Sequence, residues 1–153
     1  MVFGDVKSIL SQIENLKGQG KKIISTNGCF DLLHRGHVTY LEAAKKLGDV
    51  LVVGINSDSS VKKLKGEGRP INNAQDRALV ISALKSVDFV FIFDEDTPIE
   101  FLQILKPHIH AKGGDYKVES LPEYPVLRAI GSDVTIIPFV DGYSTTQILS
   151  KRS

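Results

Sequence analysis

Residues 21–48 read KKIISTNGCFDLLHRGHVTYLEAAKKLG, and this stretch decides the fold. Residues 23–26 form a short run rich in β-branched side chains, which is followed by a turn at Asn27–Gly28. Apolar residues then recur at helical spacing over residues 38–47. The stretch therefore predicts a strand, a glycine-containing turn and a helix. A helix that begins at the carboxyl end of a strand offers free N–H groups to an anion, so a phosphate site is predicted here.

Two histidines, His34 and His37, flank Gly36 at the predicted start of this helix. Glycine lets a phosphate approach the backbone closely, and imidazole N–H groups would add donors on the same rim. Two histidines three residues apart are also common as a solvated surface pair, and that alternative stays open. No metal site built by protein side chains is predicted. Zinc needs three or four ligands, and Cys29 has no partner at C-x-x-C or H-E-x-x-H spacing.

Four motifs in a fixed order extend this pattern along the chain. They are NGCFDLLHRGH at 27–37, LKGEGRPINNAQDR at 64–77, KGGDY at 112–116 and DGYSTTQIL at 141–149. Together they resemble the motifs of the H-x-G-H nucleotidyltransferases, the cytidylyltransferase-like superfamily, and most closely its heptose 1-phosphate adenylyltransferases. The resemblance covers about residue 21 to the C-terminus. It implies transfer of AMP from ATP to a heptose 1-phosphate, with Mg²⁺ accompanying ATP.

The motifs and this resemblance together assign roles to individual residues. Catalytic roles are expected for His34, His37, Lys65 and Arg69. Nucleotide contacts are expected for Asn27, Gly28, Cys29, Phe30, Gly36, Lys112, Gly113, Asp115, Ser144, Thr145 and Thr146. Substrate contacts are expected for Asp31, Asp58, Arg77 and Tyr116.

Several of these assignments have structural alternatives. Lys65, Arg69 and Arg77 are alternatively solvated charges, although a basic loop at this edge of the sheet favours function for Lys65 and Arg69. Asp58 either binds sugar hydroxyls or Mg²⁺ or caps a helix. The KGGDY and S-T-T runs could be an ordinary turn and a simple helix cap. Cys29 is expected to be a small turn residue and no nucleophile, because nothing near it in sequence marks an activating base.

Composition bounds the class of protein. A chain of 153 residues with 42% hydrophobic residues predicts one domain, with residues 1–20 as an N-terminal helix and residues 21–153 as the catalytic α/β core. The net charge of +1 argues against general nucleic-acid binding. One cysteine excludes an internal disulfide, and neither a signal peptide nor a membrane span is predicted, so a cytoplasmic protein is expected.

Strand and helix patterns alternate along the chain. The predicted strands are 23–26, 50–55, 89–93, 109–112 and 134–137. The predicted helices are 6–16, 38–47, 76–84, 98–105, 126–130 and one that begins after Ser144. This alternation predicts a single doubly wound, Rossmann-like parallel sheet with helices on both faces, whose ligand lies beyond the carboxyl ends of the strands.

Four local features carry more specific expectations. The basic, glycine-containing residues 62–73 predict a mobile loop that closes over the site. The following helix is expected to bury Leu79, Val80, Ala83 and Leu84. Thr97, with a proline and a glutamate after it, predicts an N-cap. The FVFIF run at 89–93 predicts either a central strand or part of a homodimer interface.

Three functional hypotheses follow from these features. The first is the adenylyltransferase, with ATP and a sugar 1-phosphate as ligands and a separate sugar kinase that supplies the substrate. The second is a CTP-dependent transferase that acts on a polyol or amino-alcohol phosphate. The third is a non-catalytic nucleotide or flavin binder. A flavin binder would purify yellow, and pyrophosphate release from ATP or CTP separates the other hypotheses.

Overall fold

The fold is a parallel sheet of five strands with helices on both faces. We describe it from a computed structural model over residues 3–139 and 144–151. The strands are β1 (Ile23–Gly28), β2 (Val50–Asn56), β3 (Phe89–Phe93), β4 (Ile109–Gly113) and β5 (Asp133–Ile137). The helices are α1 (Val6–Gly18), α2 (Arg35–Lys45), α3 (Asp58–Lys65), α4 (Ala74–Ser82), α5 (Ile99–Leu105), α6 (Tyr124–Ala129) and α7 (Thr145–Ser150).

The sheet has the strand order β3-β2-β1-β4-β5, and every neighbouring pair is parallel. The chain therefore builds outward from β1 to β3, returns across the sheet, and adds β4 and β5 on the other side. This order confirms the predicted doubly wound α/β fold. The direction of winding reverses between β1 and β4, which is the point where such sheets leave a crevice for a ligand.

The two faces of the sheet bury separate apolar cores. Helices α1, α5 and α6 pack on one face, where residues such as Ile9, Leu102 and Leu127 are fully buried. Helices α2 and α4 pack on the other face through residues such as Leu41 and Ile81. Because both faces are covered, β2 is buried along its whole length, as its unbroken apolar sequence predicts.

The FVFIF run forms β3, which lies at an edge of the sheet, so its prediction as a central strand is wrong. Its sequence is apolar because helices cover both of its faces, and three of its five residues are buried. The N-terminal segment also reaches its outer edge, where the backbone N–H of Ile92 donates to the carbonyl of Gly4 at 2.8 Å. One of the edge's hydrogen-bonding groups is thereby satisfied within the chain.

Three further expectations about local structure need correction. Residues 62–65 belong to helix α3, so the irregular loop begins only at Gly66. Leu79 and Val80 are 58% and 49% exposed, because α4 begins at Ala74 and turns Ala74, Ala78 and Ile81 toward the sheet. Helix α5 has Pro98 at its N-cap position and no side-chain cap, so the cap predicted at Thr97 is absent.

No helix within residues 3–139 and 144–151 has the length and apolar character needed to cross a membrane.

Gly54 in β2 is a close-packed position on the α1/α5 face. A Cβ atom there would lie 2.9 Å from the Phe91 ring and 3.2 Å from the Phe101 ring. These two rings pack edge to face with centroids 4.8 Å apart, so neither can retreat freely. Because Gly54 has no side chain, both aromatic rings can pack directly against the backbone of β2.

We therefore expect Gly54→Ala to destabilise the protein by about 1–3 kcal/mol, the usual cost of overpacking a core. The measurement is the free energy of unfolding in urea. Gly18→Ala is the matched control, because its new Cβ would meet no atom within 4 Å at the end of α1. Equal unfolding midpoints for the two variants would contradict this account of the aromatic packing.

Candidate active site

A cavity of about 750 Å³ opens at the carboxyl ends of the strands, where the winding reverses. Most of the residues predicted for the site line it: Asn27, Gly28, Cys29, Phe30, Asp31, His34, Gly36, His37, Lys65, Arg69, Lys112, Gly113, Tyr116, Ser144 and Thr146. Asp58, Arg77 and Asp115 do not line it. The side chain of Thr145 and residues 140–143, which contain part of the fourth motif, lie outside the described residues.

The start of α2 satisfies its own backbone groups, unlike the open anion site that the sequence predicts. His34 is the N-cap, and its Nδ1 accepts from the N–H of Gly36 at 3.1 Å. In return, Nδ1 of His37 accepts from the N–H of His34 at 3.3 Å. The carbonyl of His34 accepts from the N–H groups of His37 and Val38. An anion here would meet the imidazole side chains and the positive end of the helix dipole, with few bare N–H groups.

These reciprocal bonds also determine which proton the His34 ring presents. A neutral imidazole whose Nδ1 accepts a hydrogen bond carries its proton on Nε2, so His34 presents an N–H donor at that atom. The His34 and His37 rings stack with centroids 3.8 Å apart and planes 24° apart. The Phe30 ring meets the edge of His37 at 5.2 Å and limits its movement.

Both histidines are neutral at pH 7. Burial lowers the pKa of His34, and burial together with the neighbouring His34 lowers the pKa of His37 to about 4. A hydrogen bond with the Leu32 backbone acts in the opposite direction on the His37 pKa and only partly offsets these effects. Neutral rings can still donate hydrogen bonds, which is the role expected of them from the sequence.

The turn after β1 is bent sharply at Phe30, whose φ is +48°. This left-handed conformation is uncommon for a residue with a side chain, and it folds the Phe30 ring back under Gly28. A Cβ on Gly28 would lie 2.9 Å from that ring. A glycine at position 28 is therefore required by packing, while the strained turn lies on the cavity wall.

Helix α2 is held on β1 by a partly buried hydrogen bond that the sequence analysis missed. The hydroxyl of Tyr40 lies 2.6 Å from Oγ1 of Thr26. Burial raises the pKa of Tyr40 to about 12, with the Thr26 hydrogen bond opposing it slightly, so the phenol stays protonated. Tyr40 lines the cavity on its helix side.

Asp31 anchors the loop after α3 and is not a free substrate ligand. Its side chain is fully buried, and its carboxylate accepts from Nε of Arg69 at 2.8 Å and from the N–H groups of Ile71 and Asn72. Burial alone would raise the pKa of Asp31, but the two backbone N–H bonds and the Arg69 guanidinium lower it below its usual value. The far end of the predicted mobile loop is therefore tied down, while Arg69 stays on the cavity wall.

Arg77 lies inside the protein, which corrects its predicted contact with substrate. It is 2% exposed, and its guanidinium donates to the carbonyls of Cys29, Asn56 and Asn72 at 2.7–2.8 Å. It also donates to Oδ1 of Asp58 at 2.8 Å. A single side chain thus joins the ends of β1 and β2 to the start of α4 and is not available to a ligand.

Asp58 and Cys29 also have structural environments. Asp58 is the first residue of α3 and pairs with Arg77, whereas the cap of that helix is the hydroxyl of Ser57, 3.3 Å from the N–H of Ser60. Burial raises the pKa of the Cys29 thiol, and the nearby cations Lys65, Arg77 and Arg69 only partly oppose this. The thiol is therefore protonated at neutral pH, which agrees with its predicted role as a turn residue.

On the other side of the crevice, Lys112 lies at the end of β4, 3.2 Å from Oε1 of Glu123. Glu123 lines the cavity but is only 1% exposed, and the sequence analysis missed it because it belongs to no motif. Tyr116 is exposed at the rim, and Asp115 is exposed beside it. Ser144 caps α7 by accepting from the N–H of Gln147 at 3.1 Å, as its sequence predicts.

Comparison with known proteins now identifies the family. The model of the family described as cytidylyltransferase-like matches residues 25–150. The chain belongs to the cytidylyltransferase-like family. Its membership confirms the resemblance drawn from the four motifs, and it agrees with a crevice at the reversal point of the sheet.

The similar relatives include two proteins called "Bifunctional protein HldE". That of Pelobacter propionicus is 52% identical over 147 residues, and that of Aliarcobacter butzleri is 50% identical over 149 residues. These matches cover 96% and 97% of this chain but 30% of each relative, so the chain spans about a third of their length.

Two solved structures share the fold. A lipopolysaccharide core biosynthesis protein from Thermoplasma volcanium is 32% identical, with a TM-score of 0.65 over 82% of this chain and 100% of that one. A pantoate-beta-alanine ligase from Francisella tularensis is 17% identical, with a TM-score of 0.62 over 97% of this chain and 76% of that one. The second likeness concerns the fold alone.

The carboxylates of the cavity fit a metal ion that would be bound mainly by phosphates and water. Residues 3–139 and 144–151 contain no group of three histidine, cysteine or acidic side chains that could hold a metal ion. Asp31 is used by Arg69 and two backbone N–H groups, and Asp58 pairs with Arg77. Asp96, on the cavity wall, is exposed and has only a loose ion pair of 3.9 Å with Lys63, so it would add one ligand to a hydrated cation.

Arg77→Lys should unfold at lower urea than the wild type, with a loss of at least about 2 kcal/mol. Lysine keeps the charge but cannot reach three carbonyls and a carboxylate with one ammonium group. The exposed Arg128→Lys is the matched control and should change stability by less than about 0.5 kcal/mol. An unchanged unfolding midpoint in Arg77→Lys would show that the buried hydrogen bonds do not hold the loops together.

The stability of the protein should fall as the pH is lowered from about 6.5 toward 4. Burial, with Lys112 nearby, lowers the pKa of the fully buried His110 to about 3, and the pKa of His37 is lowered to about 4. The unfolded chain therefore binds more protons than the folded chain in this range. The stabilisation is complete above the unfolded pKa and is lost as protons force the rings to charge.

His110→Asn should reduce the slope of the unfolding free energy against pH by about 1.4 kcal/mol per pH unit, which corresponds to the binding of about one proton fewer on unfolding. Asparagine retains a polar atom near the position of the ring nitrogen that bonds Ser25 at 2.7 Å, so the fold should survive. The measurement is the free energy of unfolding in urea at several pH values. A slope identical to that of the wild type would mean that His110 is not buried in its neutral form.

Proposed function

We propose that this chain is an adenylyltransferase that transfers AMP from ATP to a heptose 1-phosphate and releases pyrophosphate. The observation that carries the proposal is the pair of stacked, neutral histidines at the start of α2, which lines a cavity with the cations Lys65, Arg69 and Lys112. Hydrogen-bond donors and positive charge at one rim suit a triphosphate that meets a second phosphate.

The reaction is an in-line displacement at the α-phosphorus of ATP. An oxygen of the sugar phosphate forms the new bond to that phosphorus, and the bond to the β-phosphate oxygen breaks, so pyrophosphate leaves with its electron pair. A phosphate monoester has a second pKa near 6 and is mostly a dianion at pH 7, so no proton has to be removed from the attacking oxygen. Positioning and charge stabilisation then supply most of the rate.

The His34 ring acts as the donor in this scheme, and the His37 ring positions it. Nε2–H of His34 stabilises charge that develops on the phosphate oxygens, and a neutral ring can do this without first losing a proton. His37 stacks on His34 and accepts from its N–H, while its own ring N–H is used by the Leu32 backbone. Lys65 and Arg69 approach the phosphates from the loop side. Mg²⁺ bound to the triphosphate would neutralise part of its charge, and Asp96, which lines the cavity, would add one ligand to that hydrated ion.

The remaining predicted contacts take supporting roles at the cavity wall. The turn at residues 28–30 and Gly36 shape the wall beside the phosphates, and Gly113, Ser144 and Thr146 border the nucleotide. Asp31 acts on substrate only through Arg69. Asp115 and Tyr116 follow residues 112–114 at the exposed rim of the crevice. From there they would contact the ribose or the edge of the base.

The relatives support the sugar as the acceptor. The Thermoplasma volcanium structure carries the description of a lipopolysaccharide core biosynthesis protein, and the HldE proteins are named as bifunctional. Heptose phosphates are intermediates of lipopolysaccharide core biosynthesis. A sugar kinase activity is needed to form the 1-phosphate, and the cytoplasm is where ATP and such sugar phosphates meet. A second copy of the chain could associate through the partly covered β3 edge.

The test is a panel of triphosphates against phosphorylated acceptors, read as pyrophosphate release. We expect release only with ATP and a heptose 1-phosphate together. Preference for CTP with a polyol phosphate would favour the cytidylyltransferase alternative. Retention of nucleotide without turnover on any acceptor would favour a non-catalytic binder and overturn the proposal.

His34→Ala and His37→Ala should each lower kcat by about 10²–10³-fold, as expected when a donor to a developing charge, or the ring that positions this donor, is removed. His34→Gln should recover part of the loss, because its amide can donate near the position of Nε2. The control is His108→Ala. His108 lies at the amino-terminal ends of the strands, opposite the cavity, where its Nδ1 accepts from the N–H of Ile23. Similar kcat values for all four proteins would return His34 and His37 to the role of a surface pair.

A further inference from the structure

Three buried polar atoms in the described part of the chain lack a hydrogen-bond partner, and they share one face of the sheet. They are Oδ1 of Asn27, Nε2 of His110 and Oε1 of Glu123. Asn27 and His110 lie on the face of the sheet that α1, α5 and α6 cover. Side chains alternate between faces along a strand, and Ile24 of β1 and Ala111 of β4, each an odd number of positions away, belong to the opposite core. Glu123 joins them through its ion pair with Lys112 of β4. Buried polar groups are normally satisfied, so these exceptions require an explanation. His110 does not line the cavity, whereas Asn27 and Glu123 do, together with Lys112.

The side chain of Glu123 is unusual for its position in the chain. It occupies the N-cap of α6, where an acidic side chain normally accepts from the first N–H groups of the helix. Here the side chain makes no cap bond, is 1% exposed and lies on the cavity wall. Its contact with the Lys112 ammonium balances the charge at 3.2 Å, yet Oε1 still lacks a well-oriented donor.

We infer that Asn27, Lys112 and Glu123 form a subsite for the hydroxyl groups of a polyol, namely the sugar of the phosphorylated acceptor. This inference rests on the proposed function and moves Asn27 and Lys112 from the nucleotide to the sugar. Two of the three groups present acceptor oxygens, and the third supplies an ammonium donor. Hydroxyl groups both donate and accept hydrogen bonds, so a polyol can complete all three at once.

The charges of the cavity favour a sugar over phosphate at this subsite. A phosphate dianion has no proton to donate to Asn27 or Glu123, and a buried carboxylate repels it. The phosphates are served at the other side of the cavity by His34, Lys65 and Arg69. The subsite therefore separates the two halves of a sugar phosphate, with its hydroxyls at β4 and its phosphate toward α2.

Equilibrium binding tests the subsite without relying on turnover. Heptose 1-phosphate and ethyl phosphate, which has the same charged group but no hydroxyls, are titrated calorimetrically into the chain saturated with a non-hydrolysable ATP analogue. The wild type should prefer the heptose ester by about tenfold or more, the usual effect of hydrogen bonds to charged groups. No preference in the wild type would overturn the inference.

Glu123→Gln and Asn27→Ser should each reduce that preference by about tenfold while the affinity for the ATP analogue changes by less than about twofold. Glu119→Gln is the matched control, since Glu119 is an exposed carboxylate four residues away. Unfolding in urea accompanies each variant. A subsite carboxylate should be replaceable without loss of apo stability. If Glu123→Gln unfolds early, Asn27→Ser alone decides.

The outcomes separate this inference from the proposed function. A preference kept by both variants, or an equal loss of affinity for the ATP analogue, would overturn the sugar subsite while pyrophosphate release could still stand. Conversely, a wild type that binds the heptose ester through Glu123 but releases no pyrophosphate would support the subsite and sink the adenylyltransferase.

Discussion

The guanidinium of Arg77 is the interaction on which the site depends. The carboxyl ends of β1 and β2 carry carbonyl groups that the sheet does not pair, and both must turn toward the same crevice. Arg77 donates to one carbonyl from each end and to a third before α4. Buried carbonyls without donors would each cost on the order of 1–3 kcal/mol, so the hydrogen bonds from this one cation stabilise the geometry of both turns. The half-exposed Asp58 balances its charge without drawing it out of the core.

A second constraint follows from the first, because Cys29 leads directly into the sharp bend at Phe30. Once the bend is held, Asp31 points inward and collects Arg69 and two backbone N–H groups. The loop after α3 is thereby attached to the same turn as the histidines. Arg69, Phe30 and His37 then occupy fixed positions around the cavity, although they come from two separate stretches of sequence.

Local patterns predicted the fold well because the binary pattern of each element is short and complete. The buried strands are continuous apolar runs, and the alternation of strands and helices allows few topologies. The errors arise where two local signals compete. The 74–84 stretch has apolar residues on two sides, and the small residues Ala74 and Ala78, which fit against the sheet, decide the face ahead of Leu79 and Val80. At Thr97 the predicted cap is absent because the helix begins one residue later, with Pro98 at the N-cap position.

The sequence predicted which residues line the cavity better than it predicted which atoms they contact. His34, His37, Lys65 and Arg69 were expected at the cavity and line it. Arg77 was predicted to contact substrate because it follows a basic loop that was expected to face the site. Two of its three carbonyl partners lie 21 and 48 residues away in the chain. No local pattern encodes such a set of partners. Glu123 was missed for the same reason, since its partner Lys112 belongs to a different element.

The low net charge of the protein now has a structural meaning. A chain with a net charge of +1 cannot attract two anionic ligands by its overall field, so it must divide the cavity. His34 and the cations Lys65 and Arg69 line the α2 and loop side, while Oδ1 of Asn27 and the Lys112–Glu123 ion pair lie at β1, β4 and α6. If the hydroxyls occupy this second side, the phosphate of the sugar can only extend toward the donors, where the proposed function puts the triphosphate. Orientation of the nucleophile is then set by the polarity of the walls. The histidines can remain neutral, because charge in the transition state meets cations that are already in place.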